Sequence, residues 1–105
     1  MAETVIVLTT VADDGRAAEL ARQLVDERLA ACVNLCAPMT SFYRWKGNVE
    51  RDAERQIVIK TLRERVPALE ARLRQLHPYE LPEFVVLAID AGGADYLRWV
   101  EDQTR

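Results

Sequence analysis

The sequence has little of the residue types on which many protein chemistries depend. Its 105 residues include two cysteines, four glycines and a single histidine. Two cysteines, Cys32 and Cys36, are too few for a disulfide framework, and one histidine excludes any mechanism that needs two imidazoles from one chain. The only serine, Ser41, lies in an aromatic segment without the glycine-rich elbow of a serine hydrolase. The glycines form no phosphate-binding loop either.

Long apolar runs and long charged runs are also missing. The apolar stretches Val5–Leu8 and Phe84–Ile89 are far shorter than the roughly 20 residues that cross a bilayer. Fourteen Lys and Arg against seventeen Asp and Glu give a net charge of -3, without a basic patch for nucleic acid or lipid. We therefore expect a soluble, unexported protein that binds neither nucleic acids nor membranes.

The remaining pattern predicts one domain over residues 1–105, in the order β-α-β-β-α-β with a closing helix. Pro38 predicts a bend, Gly47-Asn48 predicts a tight hairpin turn, and Pro67 places the second helix start near Glu64 to Pro67. The predicted elements are strand Thr4–Val11, helix Arg16–Ala31, strand Cys32–Ala37, an aromatic ribbon Thr40–Lys46, strand Ile57–Leu62, a helix to Leu76, buried strand Phe84–Ile89 and a helix around Tyr96–Val100. This order predicts an α+β, ferredoxin-like sandwich with two helices on one face of an antiparallel sheet.

The segment His77–Glu83 concentrates chemistry in a loop stiffened by two prolines. An imidazole, a phenol and two carboxylates lie within seven residues. Imidazole and carboxylate together suit a borderline metal such as Cu(II). The structural alternative is that the prolines shape a sharp turn, Tyr79 packs and His77 caps the second helix.

Three aromatic residues, Phe42, Tyr43 and Trp45, lie on the ribbon that continues past Pro38. Two helices of ordinary length do not reach the tip of such an arm, and an isolated hairpin is marginal in water. We therefore expect another copy of the chain to cover these residues, which makes them a predicted subunit interface.

The chain resembles the CutA divalent-cation-tolerance family from Val5 to Trp99. The resemblance rests on the order and spacing of five motifs, which are Leu-Ala-Ala-Cys-Val-Asn at 29–34, Tyr-Arg-Trp-Lys-Gly at 43–47, Glu54 followed by Ile-Lys-Thr at 59–61, His-Pro-Tyr-Glu-Leu-Pro-Glu at 77–83, and Tyr-Leu-Arg-Trp at 96–99. It implies a ferredoxin-like fold, a homotrimer similar in plan to the PII signalling proteins, a bacterial cytoplasmic setting and an association with tolerance of copper and other divalent metals.

The resemblance also implies a copper site, but this chain matches it only in part. The family's ligand positions correspond to Thr9, Leu76, His77 and Glu83, where the family has Cys, His, His and Glu. Only His77 and Glu83 keep metal-binding side chains. We therefore expect no required cofactor, and at most weak binding of Cu(II) or another divalent cation.

The function predicted from these features is that of a non-enzymatic trimeric binding or signalling module. Its ligand is expected in a cleft between subunits, lined by Trp45, Glu54, Lys60, His77, Tyr79 and Glu83. Two alternatives stay open. One is a small hydrolase of the acylphosphatase type on the same fold, and the other is a purely structural trimeric scaffold.

Overall fold

The fold is an α+β sandwich built on one antiparallel sheet. The computed structural model describes residues 2–105. Its strands and helices are β1 Thr4–Ala12, α1 Arg16–Asp26, β2 Cys32–Leu35, β3 Met39–Trp45, β4 Asn48–Leu62, α2 Val66–Leu76, β5 Val85–Ala88 and α3 Ala94–Gln103, with a 3₁₀ turn at Arg63–Arg65 before α2. The sheet order is β2-β4-β1-β5, and β3 pairs with the other half of β4. This is the ferredoxin-like topology that the sequence predicts.

The core lies between the sheet and helices α1 and α2. Side chains alternate between the two faces of a strand, and the odd-numbered residues of β1 and β4 point toward the helices. The cluster combines strand residues with one stripe from each helix, namely Val5, Val7, Val11, Ile57, Ile59, Leu20, Leu24, Leu69 and Leu73. The two helices therefore cover one face of the sheet, as predicted.

The longest strand, β4, corrects the prediction of a separate strand at Ile57–Leu62. It runs unbroken for 15 residues. The charged residues 50–52, which the sequence pattern does not predict as a strand, belong to it because β3 pairs with residues 48–54. Its partner β1 ends where Ala12 pairs with Glu54. Residues 48–53 and β3 therefore form a two-stranded arm that projects beyond the sheet.

The turn at the tip of the arm lies one residue earlier than the Gly47-Asn48 pair predicts. Trp45 pairs with Asn48, so Lys46 and Gly47 are the two turn residues. Both have positive φ angles, 50° and 84°. A two-residue hairpin turn with both central φ angles positive is type I′, and glycine accommodates this conformation without strain.

Two other predicted elements differ in extent or burial. Helix α1 ends at Asp26 and not at Ala31, because Arg28 adopts a φ of 59° and the N–H of Leu29 bonds back to the carbonyl of Leu24. The following Leu29 and Ala30 are still buried in the core.

Strand β5 spans four residues at the sheet edge, not Phe84–Ile89. Three of its four residues are exposed and not buried as predicted, because no strand pairs with its outer side among the described residues and Val85 and Leu87 lie on the face opposite α1 and α2.

The sheet face opposite α1 and α2 is the open face. It carries apolar side chains from three strands, namely Ile6, Leu8, Val58, Val85 and Leu87. Helix α3 covers one corner of the sheet, where Val100 packs on Leu62 and Ala31. None of the helices within residues 2–105 is long and apolar enough to cross a membrane.

Two neighbouring residues of α1 test this packing. Leu24 is fully buried, whereas Val25 is 41% exposed. We expect Leu24→Ala to lower the free energy of unfolding by about 2–5 kcal/mol, because it leaves a cavity between α1 and the sheet. Val25→Ala should change it by less than about 0.5 kcal/mol. Urea denaturation of both variants measures the difference, and equal losses would contradict the orientation of α1.

Candidate ligand cleft

A cleft of about 800 Å³ separates the arm from the loop that precedes β5. The arm supplies one wall and residues 79–83 supply the other, while the end of β1 closes the base. The lining residues are Thr10, Ala12, Ser41, Tyr43, Arg44, Trp45, Asp52, Ala53, Glu54, Tyr79, Glu80, Leu81, Pro82 and Glu83. Aromatic rings and carboxylates therefore face the same space.

A buried carboxylate lies at the base of the cleft. Glu54 is only 6% exposed, and its Oε2 accepts a hydrogen bond of 2.6 Å from the hydroxyl of Tyr79. Burial, the hydrogen bond to Glu54 and nearby negative charge all raise the pKa of Tyr79. The phenol therefore stays protonated and holds the loop against β4.

A second phenol and carboxylate pair lies on the arm. The hydroxyl of Tyr43 donates to Oδ2 of Asp52, which lies diagonally across the two strands. This hydrogen bond, together with burial and neighbouring carboxylates, raises the pKa of Tyr43 to about 12. Both tyrosine hydroxyls in the cleft thus stay protonated and donate hydrogen bonds to carboxylates of β4.

His77 anchors the loop to β1. Its ring Nε2 lies 2.7 Å from the carbonyl oxygen of Thr10, and the backbone N–H of Tyr79 donates to Nδ1 at 3.1 Å. A carbonyl only accepts, so Nε2 carries the proton and the ring is the neutral Nε2–H tautomer. Burial lowers the pKa of His77 further than its contacts raise it. His77 also ends α2, where its N–H bonds to the carbonyl of Leu73.

Gln56 links Glu83 to the same strand. Its side-chain Nε2 donates to the carbonyl of Thr9 at 2.7 Å and to Oε2 of Glu83 at 2.9 Å. This amide therefore has both of its N–H groups occupied and fixes the carboxylate at the end of the loop.

At the tip of the arm, Lys46 bridges the two walls of the cleft. Its ammonium lies 3.6 Å from Oε2 of Glu80 and 5.5 Å from the centre of the Trp45 ring. Both Lys46 and Glu80 are largely exposed, so this ion pair is weak and easily replaced.

Four of the six residues predicted for the cleft line it in the structure, namely Trp45, Glu54, Tyr79 and Glu83. The ring of His77 supports the loop from outside the lining. Lys60 lies elsewhere, because it pairs with Ile6 of β1 and Cys32 of β2, and its ammonium binds Asn34 at 2.7 Å. Of the predicted interface residues, Phe42 is 68% and Tyr43 is 42% exposed.

The residues at the family's copper positions do not form a preassembled metal site. Both nitrogens of His77 are engaged in hydrogen bonds. Thr9 is fully buried and its hydroxyl has no hydrogen-bond partner among the described residues, while Leu76 offers no ligand atom. Within residues 2–105, no group of three His, Cys, Asp or Glu side chains is placed to hold a metal ion.

The sequence prediction did not include Asp52, Glu80 or Arg44 in the cleft. The available signal was strand register, because Ser41, Tyr43 and Trp45 alternate along β3, and Asp52 lies directly opposite Ser41. The length of β4 had to be known before this register could be assigned.

The fold and cleft define a ferredoxin-like protein with a ligand-sized site between a hairpin arm and a proline-rich loop. Comparison with known families then shows to which family the chain belongs. Residues 5–103 match the family model described as CutA1 divalent ion tolerance protein. The chain belongs to this family, as its motifs predict.

Individual relatives agree with this assignment. The divalent-cation tolerance protein CutA of Thermus thermophilus is 44% identical over 94% of this chain and 96% of its own length. Protein CutA of Mus musculus is 48% identical over 84% of this chain, which spans 50% of the mouse protein. A solved CutA1 structure from T. thermophilus matches with a TM-score of 0.93, 43% identity and coverage of 97% and 99%. The structure of a protein described as the periplasmic divalent cation tolerance protein CutA, from Archaeoglobus fulgidus, matches with a TM-score of 0.93, 26% identity and coverage of 97% and 99%.

The neutral, buried state of His77 predicts a pH effect on stability. The unfolded chain takes up a proton on this ring near pH 6.5, and the folded chain does so only at lower pH. The unfolded state therefore binds more protons in that window, and stability falls as the pH drops below about 6.5. Glu54 and Arg16 are the charged groups that act on the ring, and they oppose each other.

His77→Gln is the matched variant, because a glutamine amide can donate to Thr10 and accept from Tyr79 without titrating. We expect wild-type protein to lose more stability than this variant between about pH 7.5 and about pH 5.5. Urea denaturation at both pH values measures the difference. Parallel losses in the two proteins would show that His77 does not carry the effect.

Proposed function

We propose that this CutA family member is a non-enzymatic trimeric module that binds a small ligand in the cleft and takes part in the response to divalent metal ions. The observation that carries this proposal is the combination of a ligand-sized cleft with an apolar sheet face that the helices leave partly uncovered. The cleft offers a binding site, and the surface offers the means of assembly.

The open face supports self-association. Its apolar side chains come from three adjacent strands, and Val85 and Leu87 at its edge are 45% and 44% exposed. A contiguous apolar surface of this kind is rare on a protein that acts as a monomer. A cyclic trimer would bury it around the symmetry axis through head-to-tail contacts, in which one part of the surface meets a different part of the next copy.

The arm supports the same assembly. Beyond Ala53 it has no strand beside it except β3 among the described residues, and it exposes Phe42 and Val49 at 68% and 65%. A two-stranded ribbon needs further packing to be stable in water. The proposed interface of Phe42, Tyr43 and Trp45 against a neighbouring subunit supplies it. The same interface would make the cleft a site between subunits.

A binding role fits the charges better than phosphoryl hydrolysis does. The acylphosphatase type of reaction requires a cation to cradle phosphate near the end of the first strand. Here Arg16 is paired with Asp14 and Arg55 with Asp13, and the cleft itself is rich in carboxylates. The family names refer to tolerance of divalent cations and to no reaction.

A cytoplasmic location is part of the proposal. It is supported by Cys32 and Cys36, which are both free thiols, because free thiols persist most readily in a reducing compartment. The A. fulgidus relative is described as periplasmic instead. Fractionation of cells that express the native gene separates these locations.

The trimer is tested by light scattering coupled to size exclusion. We expect a mass of three chains at micromolar concentration. Leu8→Lys, which places a charge in the middle of the open face, should dissociate the trimer, because an apolar interface does not accommodate an unpaired charge. Val25→Lys on the outer side of α1 is the matched control and should leave it intact. A monomeric wild-type protein would contradict the assembly.

Copper binding is predicted to be weak. Because His77 must give up a hydrogen bond to coordinate a metal, we expect Cu(II) to bind with a dissociation constant in the micromolar range or weaker, at no more than one ion per chain, through His77 and Glu83. Calorimetry on wild-type protein and on His77→Gln measures it. Tight binding that survives the substitution would place the ligands elsewhere, with Cys32 and Cys36 as the first candidates.

A further inference from the structure

We propose that the cleft between the arm and the loop binds a small organic cation through an ammonium group. This inference rests on the proposed function and specifies the chemical class of its ligand. Three features of the cleft carry this inference. They are the excess of negative over positive charge, the burial of Glu54 without a counter-ion, and the position of Lys46.

The cleft presents more negative than positive groups to a ligand. Four carboxylates and one guanidinium are among its lining residues. The hydroxyls of both lining tyrosines are already used to bond carboxylates of β4, and the guanidinium of Arg44 donates to the carbonyl of Gly47 at 3.4 Å. Apart from the guanidinium of Arg44, the side-chain donors that remain are uncharged, namely the hydroxyls of Thr10 and Ser41 and the indole of Trp45. A ligand that brings its own donors and a positive charge therefore matches the site.

Glu54 lacks a counter-ion. Only 6% of this residue is exposed, and it forms no salt bridge with any residue between 2 and 105. Its carboxylate instead accepts one neutral hydrogen bond, from Tyr79. A buried charge without an opposite charge is unfavourable, and a cation in the cleft would compensate it.

Lys46 shows which chemistry the mouth of the cleft accepts. Its ammonium lies between the face of Trp45 and the carboxylate of Glu80, and both of these partners line the cleft. Aromatic face and carboxylate together are the partners that an organic ammonium group prefers. The side chain of Lys46 therefore lies at the mouth of the cleft, against two lining residues, and competes for them with an incoming cation.

An organic cation fits this arrangement better than a metal ion does. A divalent metal needs several ligand atoms at about 2.0–2.6 Å, and the described carboxylates are not clustered closely enough to supply three. An alkylammonium ion uses single carboxylates that are farther apart, and its carbon chain packs on aromatic rings. Tyr43, Trp45 and Tyr79 provide such rings along the cleft.

In the test, 1,4-diaminobutane is the probe ligand, and calorimetry measures its binding to the protein. Succinate has the same chain length with opposite charge and is the control ligand, and zinc chloride is the metal control. Glu54→Gln and Glu80→Gln remove one charge each from the cleft, and the amide introduced by Glu54→Gln keeps an oxygen that accepts from Tyr79. Glu70→Gln on α2 removes the same charge far from the cleft. Lys46→Asn removes the competing ammonium and suits the positive φ of the turn.

We expect the diamine to bind and succinate not to bind. Glu54→Gln and Glu80→Gln should each weaken diamine binding at least tenfold, Lys46→Asn should strengthen it several-fold, and Glu70→Gln should leave it unchanged. Diamine binding that ignores both cleft substitutions would overturn the inference. Binding of succinate or zinc without the diamine would overturn it while the proposed binding function stands, whereas no binding of any probe, with an intact trimer, would overturn both in favour of a scaffold.

Discussion

Strand β4 is the element on which every other part of the structure depends. Its 15 residues pair with β1 on one side and with β2 and β3 in succession on the other. The half that pairs with two neighbours contributes Ile57 and Ile59 to the core, and the half that pairs with β3 alone becomes the arm. Glu54 lies at the junction, opposite both Ala12 and Met39. The transition from sheet to arm therefore creates the base of the cleft.

The second wall of the cleft depends on a few polar contacts. The loop between α2 and β5 has no regular structure between residues 77 and 84, so its position is set by side chains. His77 is hydrogen-bonded to Thr10 of β1, and Tyr79 is hydrogen-bonded to Glu54 of β4. Glu83 is held on β4 by a hydrogen bond from the amide of Gln56. The two prolines reduce the conformational freedom of the unfolded loop and so lower the entropy lost on ordering it. Removing one of these hydrogen bonds should therefore change the shape of the cleft more than it changes the packing of the core.

The sequence was sufficient for the topology, because strand and helix periods alternate clearly and Pro67 marks the start of α2. It was insufficient where long-range pairing overrides local signals. Residues 50–52 are charged and look irregular, yet β3 holds them in a strand. Helix α1 stops early because Arg28 turns the chain toward β2. The loop His77–Glu83 was recognised as chemically dense, but its link to Glu54 depends on the register of β1 and β4, which no local pattern reveals.

The electrostatics of the cleft follow from this geometry. Its carboxylates come from the arm, the junction and the loop, and they are held apart by the sheet and by the polar contacts that position the loop. Such a distribution produces a negative potential over a large volume without a compact set of ligands. Attraction through space, and contact with aromatic faces, are therefore better matched to the cleft than inner-sphere coordination is. Tolerance of divalent ions, for which the family is named, therefore does not require that the cleft itself coordinate the metal.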